Sequence, residues 1–176
     1  MSTVGNYFAF NEIDWQRVKS VTLVEKERLL EDVIRPLMEL HLKHRSELLV
    51  ALEDALEKTT DDFLRLGIVI LLEGGEANNL FGILKTTLNA SILSDYEYLA
   101  NILKIEALFC MSVGHPMRNT YYFLNSYFGA GFARKSIELY KNNAKTIEKI
   151  SREELTDITY TTESNAIICV VSGVVQ

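Results

Sequence analysis

Helix punctuation recurs along this chain at spacings that leave little room for any other secondary structure. Thr22 with Glu25, Ser94 with Glu97 and Ser151 with Glu154 each place a hydroxyl three residues before a carboxylate. At that spacing the two side chains satisfy each other's orphan amides at a helix N-terminus. Asn11 stands before Glu12-Ile13-Asp14-Trp15 as a further capped start. Pro116 suits a first helical turn, where its missing N–H is not needed. Gly129 suits the position just past a helix end, where positive φ is common.

Between these marks the apolar residues fall at helical spacing. Leu30, Val33, Ile34 and Leu37 form one stripe, and Leu48, Leu49, Leu52, Ala55 and Leu56 a second. Leu80, Phe81, Leu84 and Leu88 form a third, and Leu99, Ile102, Leu103 and Leu108 a fourth. Pro36 is expected to kink or split the first long helix near Arg35, because it removes a donor and crowds the carbonyl one turn back. Phe63 to Leu72 is apolar almost all round, which predicts a centrally buried helix with Phe63, Leu66, Val69, Ile70, Phe81 and Leu84 packed together. Glu73-Gly74-Gly75-Glu76 ends it in a tight reversal. A last long helix is expected after Gly129-Ala130-Gly131-Phe132, with Ala144, Ile147 and Ile150 on its apolar stripe.

Helix starts near Thr60, Ser94 and Gly131 recur at about 35 residues, the spacing of stacked helical hairpins. Ile158, Tyr160 and Thr162, then Ala166 to Val171, flank Glu163-Ser164-Asn165 as β-branched runs around a polar turn, which reads as a β-hairpin. The expected fold is therefore mainly α: a multi-helix bundle or a short HEAT/armadillo-like stack with a small C-terminal β-hairpin. Its expected organisation is an N-terminal helical arm over 1–60, a helical core over 61–150 and a hairpin tail over 151–176. That tail offers a route to homo-oligomers by strand pairing.

Composition narrows the function. A net charge of −6, with basic residues interleaved among acidic ones, lacks the basic footprint of a nucleic-acid binder. Met1 to Phe10 has no basic residue and no long apolar run, so it does not read as a signal peptide. No window supplies the ~20 apolar residues that span a bilayer. A cytoplasmic protein is expected. Cys110 and Cys169 sit in apolar stretches with no CxxC spacing and read as buried free thiols.

Candidate chemistry is sparse. His41, His44 and Glu47 share a helix face and could approach a metal, but no fourth ligand is evident; a solvated or partly packed face is the simpler reading. Glu73 and Glu76 flank the Gly-Gly turn and could serve acid–base chemistry only if one were desolvated. Arg118-Asn119 resembles the Arg-Asn start of the ribonuclease motif in HEPN helical domains. Phe123 and Leu124 stand where that motif needs a histidine. His115, before a proline, reads as a loop residue. No catalytic residue, cofactor or metal site is assigned. Tyr121, Tyr122, Phe123, Tyr127 and Phe128 supply more aromatic area than one buried stripe requires. Phe123 is expected to face inward. Tyr121, Tyr122 and Tyr127, with Arg134 and Lys135, are expected to bind a protein partner, because Tyr and Arg anchor such interfaces.

Residues 62–150 resemble the N-terminal domain of the flagellar motor switch protein FliG, an armadillo-like helical domain. The resemblance rests on Ile68 to Leu72 with Gly74 and Glu76, on Pro116 to Phe128, and on Gly129 to Phe132 followed by Ala133-Arg134-Lys135 and Ile137-Glu138. It implies a helical module that binds a partner helix or ring subunit. The expected function is thus a non-catalytic scaffold or adaptor, of the flagellar-rotor type. The alternatives are an immunity or antitoxin-type inhibitor, whose acidic surface masks a basic partner, and a hydrolase using the Glu73/Glu76 turn.

Overall fold

The chain divides into two compact units, Met1–Gly131 and Phe132–Gln176. The computed structural model describes residues 13–132, most of the first unit and the first residue of the second. The expected hairpin tail, the Ser151–Glu154 cap, the helix reaching Ile150, Cys169, Arg134 and Lys135 all lie outside the described residues.

Among the described residues the regular structure is helical. Helix α1 (Trp15–Ser20) starts at Asp14, whose carboxylate accepts from the Gln16 and Arg17 amides at 3.0 and 3.3 Å. The cap is therefore Asp14 rather than Asn11. Helix α2 (Leu23–Leu29) opens on the complete Thr22–Glu25 capping box. It runs through a π-helical turn (Leu30–Ile34) into α3 (Arg35–Glu47), which carries Pro36 in its first turn. The chain stays helical through this region. The wider π turn changes the hydrogen-bond register just where Pro36 can neither donate nor tolerate a carbonyl one α-turn back.

A single residue, Leu48, separates α3 from α4 (Leu49–Lys58), at φ +52° and ψ −120°. That is backbone space where a β-carbon is costly. Helix α5 (Asp62–Leu72) is capped by Asp61, which accepts from the Leu64 amide at 2.8 Å. Helices α6 (Ala77–Ala90), α7 (Asp95–Ser112) and α8 (Met117–Ser126) follow. The Ser94–Glu97 box caps α7, and Pro116 is the N-cap of α8.

The α5–α6 and α7–α8 turns are alike, bond for bond, forty residues apart. The Gly74 and Gly75 amides donate to Leu71 O and Ile70 O, and the Gly114 and His115 amides donate to Met111 O and Cys110 O. Gly74 and Gly114 take φ +72° and +69°, the left-handed helix end that glycine adopts without a steric penalty. Helix starts at Asp62, Asp95 and Ala130 keep the expected spacing of about 35 residues; the turns lie further apart because α7 has 18 residues against 11 for α5.

Helix α7 is the centre of the unit. Every residue from Tyr98 to Met111 is buried, including Asn101, Lys104 and Glu106. It packs against α1, the π turn, α3, α5, α6 and α8. The expected central helix, α5, lies to one side. Ile68, Ile70 and Leu84 are buried, whereas Phe63, Leu66, Val69 and Phe81 are only half-buried. Gly67 explains how α5 and α7 meet: a β-carbon there would lie 2.3 Å from Leu108 Cδ1, so the helices approach through a missing side chain. Nor does the structure separate an arm at residue 60. Helices α1 and α3 pack on α7 within the same unit. Asp14 N donates to the Tyr98 hydroxyl at 3.0 Å, and Arg17 pairs with Asp95 at 2.8 Å while its guanidinium lies over the Tyr98 ring.

Candidate functional site: an aromatic helix face and a polar-floored cleft

Helix α8 turns Thr120, Tyr121, Leu124 and Asn125 inward. These positions fall at helical spacing, so Tyr122 and Phe123 must take the opposite face. They are 42% and 44% exposed, whereas Tyr121 is 6% exposed. Phe123 therefore faces out and Tyr121 faces in, the reverse of the expected inward Phe123. The His115 ring stacks on Phe123 at 5.8 Å, and Val113 extends the apolar surface at the α7–α8 turn.

Tyr127 also departs from the expected surface. Its ring stacks on Trp15 at 6.0 Å, and its hydroxyl donates to Glu106 Oε1 at 2.7 Å. Burial pushes both the Glu106 carboxyl and the Tyr127 phenol upward. Burial also pushes the nearby Cys110 thiol up to about 12, so it stays protonated at neutral pH and is a poor nucleophile. Of the described members of the expected partner-binding set, Tyr122 is the exposed one. Tyr121 and Tyr127 are committed to packing.

The other candidate groups separate in the same way. His41 is 1% exposed. Burial first, and Arg45 second, hold its imidazole down at about 4. Its Nδ1 has no hydrogen-bond partner among the described residues. His41 is thus a neutral core group, and the face it shares with half-buried His44 and exposed Glu47 is the partly packed one of the two expected forms. Burial also lowers His44, and Glu47 is exposed. No group of three His, Cys, Asp or Glu among the described residues could hold a metal ion. Glu73, Glu76, Arg118 and Asn119 are exposed. No described helix is long and apolar enough to cross a membrane.

One concavity among the described residues is not legible in the sequence. A half-open cleft of about 830 Å³ lies between the π turn, α3, α4, α5 and the first turns of α7. Val33, Leu37 and Leu40 wall one side, and Tyr96 and Ala100 another. Its floor is polar. Lys104 pairs with Asp61 and donates to Asn101 Oδ1 at 2.9 Å. Burial alone would raise the Asp61 carboxyl, but the bonds from Lys104 and from the Leu64 and Phe63 amides outweigh it and hold it below the usual range. An ammonium group only donates, so the Asn101 oxygen must face Lys104 and its NH₂ must face the other way. That NH₂ makes no hydrogen bond to any described residue, although Asn101 is 7% exposed and lines the cleft. In the sequence, Lys104 and Glu106 look like interruptions of an apolar run. The usable signal was the Asn101/Lys104 pair, one helical turn apart and one turn into an otherwise apolar helix.

Set against known proteins, the chain matches no family model, no curated protein and no solved structure.

Proposed function

We propose that this chain is a non-catalytic protein-interaction module, a scaffold or adaptor, and that the outer face of α8 is a contact surface. The observation that supports this most is the exposed Tyr122–Phe123 pair, flanked by His115 and Val113, on a helix whose other face is fully engaged. Large aromatics held on a rigid helix lose little entropy on binding and serve as interface anchors.

The two like turns after α5 and α7 support a HEAT- or armadillo-like stack as the finer architecture. A flagellar-rotor-type module remains part of this proposal. It rests on Ile68 to Leu72 with Gly74 and Glu76, which are the end of α5 and its turn, on Pro116 to Phe128, which spans α8, and on the sequence from Gly129 to Glu138. A cytoplasmic setting belongs to the same reading. The net charge of −6 favours one second reading, an inhibitor whose acidic surface masks a basic partner.

Affinity capture with the full chain, followed by titration of the recovered partner, tests the proposal. Tyr122→Ala with Phe123→Ala should weaken binding 10-fold or more, about 1.4 kcal/mol, with helical circular dichroism unchanged. Wild-type affinity in the double variant would remove α8 as the contact surface.

A further inference from the structure

We propose that the cleft is a second docking site, independent of the α8 face, and that its occupant is an amphipathic helix of a protein partner carrying lysine or arginine along its flank.

Three features support this occupant. The first is the charge at the mouth. Asp32, Asp62 and Glu97 are exposed there, and none forms an ion pair among the described residues. The two lysines of the lining are already engaged, Lys58 with Asp54 and Lys104 with Asp61. The uncompensated charge is therefore negative, and it suits a cationic flank.

The second is shape. The walls are helix stripes, Val33, Leu37 and Leu40 on one side and Tyr96 and Ala100 on the other. Each repeats every three to four residues, the spacing at which a docked helix presents its own anchors. Within α7 the lining runs from Tyr96 to Lys104, about 12 Å of helix rise, which matches roughly two turns of an incoming helix. An extended peptide would instead need a strand edge for its backbone, and the described residues contain none.

The third is the floor. The Asn101 NH₂ makes no hydrogen bond to a described residue and keeps both donors for an occupant, at the base of the cleft. An acceptor on the occupant's apolar face, such as a glutamine or serine oxygen, would complete it and fix the register.

The test uses the full chain and three synthetic 14-residue helical peptides. One has leucines and a central glutamine on one face with lysines on the flanks, the second has glutamates in place of the lysines, and the third is a scramble of the first. Binding is read by fluorescence anisotropy, and the site by the side-chain amide signal of Asn101 in ¹⁵N-correlated NMR, assigned by its loss in Asn101→Asp. The lysine peptide should bind saturably and shift the Asn101 NH₂ signal. It should bind at least 10-fold more tightly than the other two peptides. Asp32→Asn with Asp62→Asn should weaken it 10-fold or more. Both residues are exposed, so the fold should be unaffected. Tyr122→Ala with Phe123→Ala should leave this binding unchanged, which separates the cleft from the α8 face. Absence of saturable binding, equal binding of the glutamate peptide, an unmoved Asn101 signal, or indifference to the Asp32/Asp62 changes would each overturn the proposal.

Discussion

Helices α5 and α7 exchange the places their sequences suggest. Helix α5 reads Asp-Phe-Leu-Arg-Leu-Gly-Ile-Val-Ile-Leu-Leu and is the more uniformly apolar, yet Phe63, Leu66 and Val69 are only half-buried. Helix α7 contains Asn101, Lys104 and Glu106, yet nothing between Tyr98 and Met111 reaches solvent appreciably. Apolarity sets how much a helix gains from burial; the number of helices around it sets how much it is buried. Helix α5 has neighbours in α4, α6 and α7, whereas α7 is ringed by six elements. The polar groups of α7 are tolerated because they have partners: Lys104 has Asp61 and Asn101, and Glu106 has the Tyr127 hydroxyl. A paired polar group can be buried at modest cost, whereas an unpaired one cannot.

This contrast can be broken first at Leu108, which is 0% exposed. Leu108→Ala should destabilise the unit by about 3–5 kcal/mol in urea unfolding, the upper part of the range for a leucine in a packed core. A loss below about 1 kcal/mol would show that α7 is not the centre.

Next comes the crossing of α5 and α7. Gly67→Ala places a methyl group 2.3 Å from Leu108 Cδ1 and 3.3 Å from Leu84 Cδ1. Helix propensity alone would make the change stabilising by up to ~1 kcal/mol. Overpacking should win and leave a net loss of about 1–3 kcal/mol. A stabilised variant would mean the helices are further apart than described.

Leu66→Ala sharpens the comparison from the other side. Because Leu66 is half-buried, the loss should be about 1–2 kcal/mol, less than the full cost of truncating a core leucine. A loss equal to that of Leu108→Ala would restore α5 as a central helix.

The smallest effect is a pH slope. The folded-state pKa of Glu106 is raised by burial, so its folded form holds a proton that the unfolded chain has already released. Its contribution to stability is complete below the unfolded value of 4.5 and is lost as pH rises through the raised value. Glu106→Gln keeps an oxygen for the Tyr127 hydroxyl and removes the titration. Thermal unfolding from pH 4 to 8 should therefore decline less steeply in the variant. Superimposable profiles would show that Glu106 is solvated.

Helix boundaries were the most legible part of this protein, because caps are local chemistry. Thr22 with Glu25 and Ser94 with Glu97 form the boxes that their spacing demands. Asp14 displaced Asn11 as a cap because both are good acceptors and only the three-dimensional start of α1 chooses between them. The partner surface was legible in kind but not in detail. The aromatic excess on α8 pointed to an exposed face, and Tyr122 lies on it. Assigning Phe123 inward failed because one helix read alone fixes the angle between its residues but not which side meets the core. The cleft is not legible in the sequence for a related reason. Its lining comes from five separate segments, and the spare donors of Asn101 mean nothing until Lys104 fixes the amide's orientation.

Helices across residues 13–132, the starts of most of them and the glycine turn after α5 follow from the order of residues alone. Those outcomes depend on groups within about four residues of one another. Packing in three dimensions makes α7 central, joins α1 and α3 to its core rather than to an arm, spends Tyr121 and Tyr127 inside while leaving Phe123 outside, and sets a polar floor beneath an open cleft. Each of these depends on which helix faces meet across long stretches of chain, and that is settled by the packing of all the helices at once.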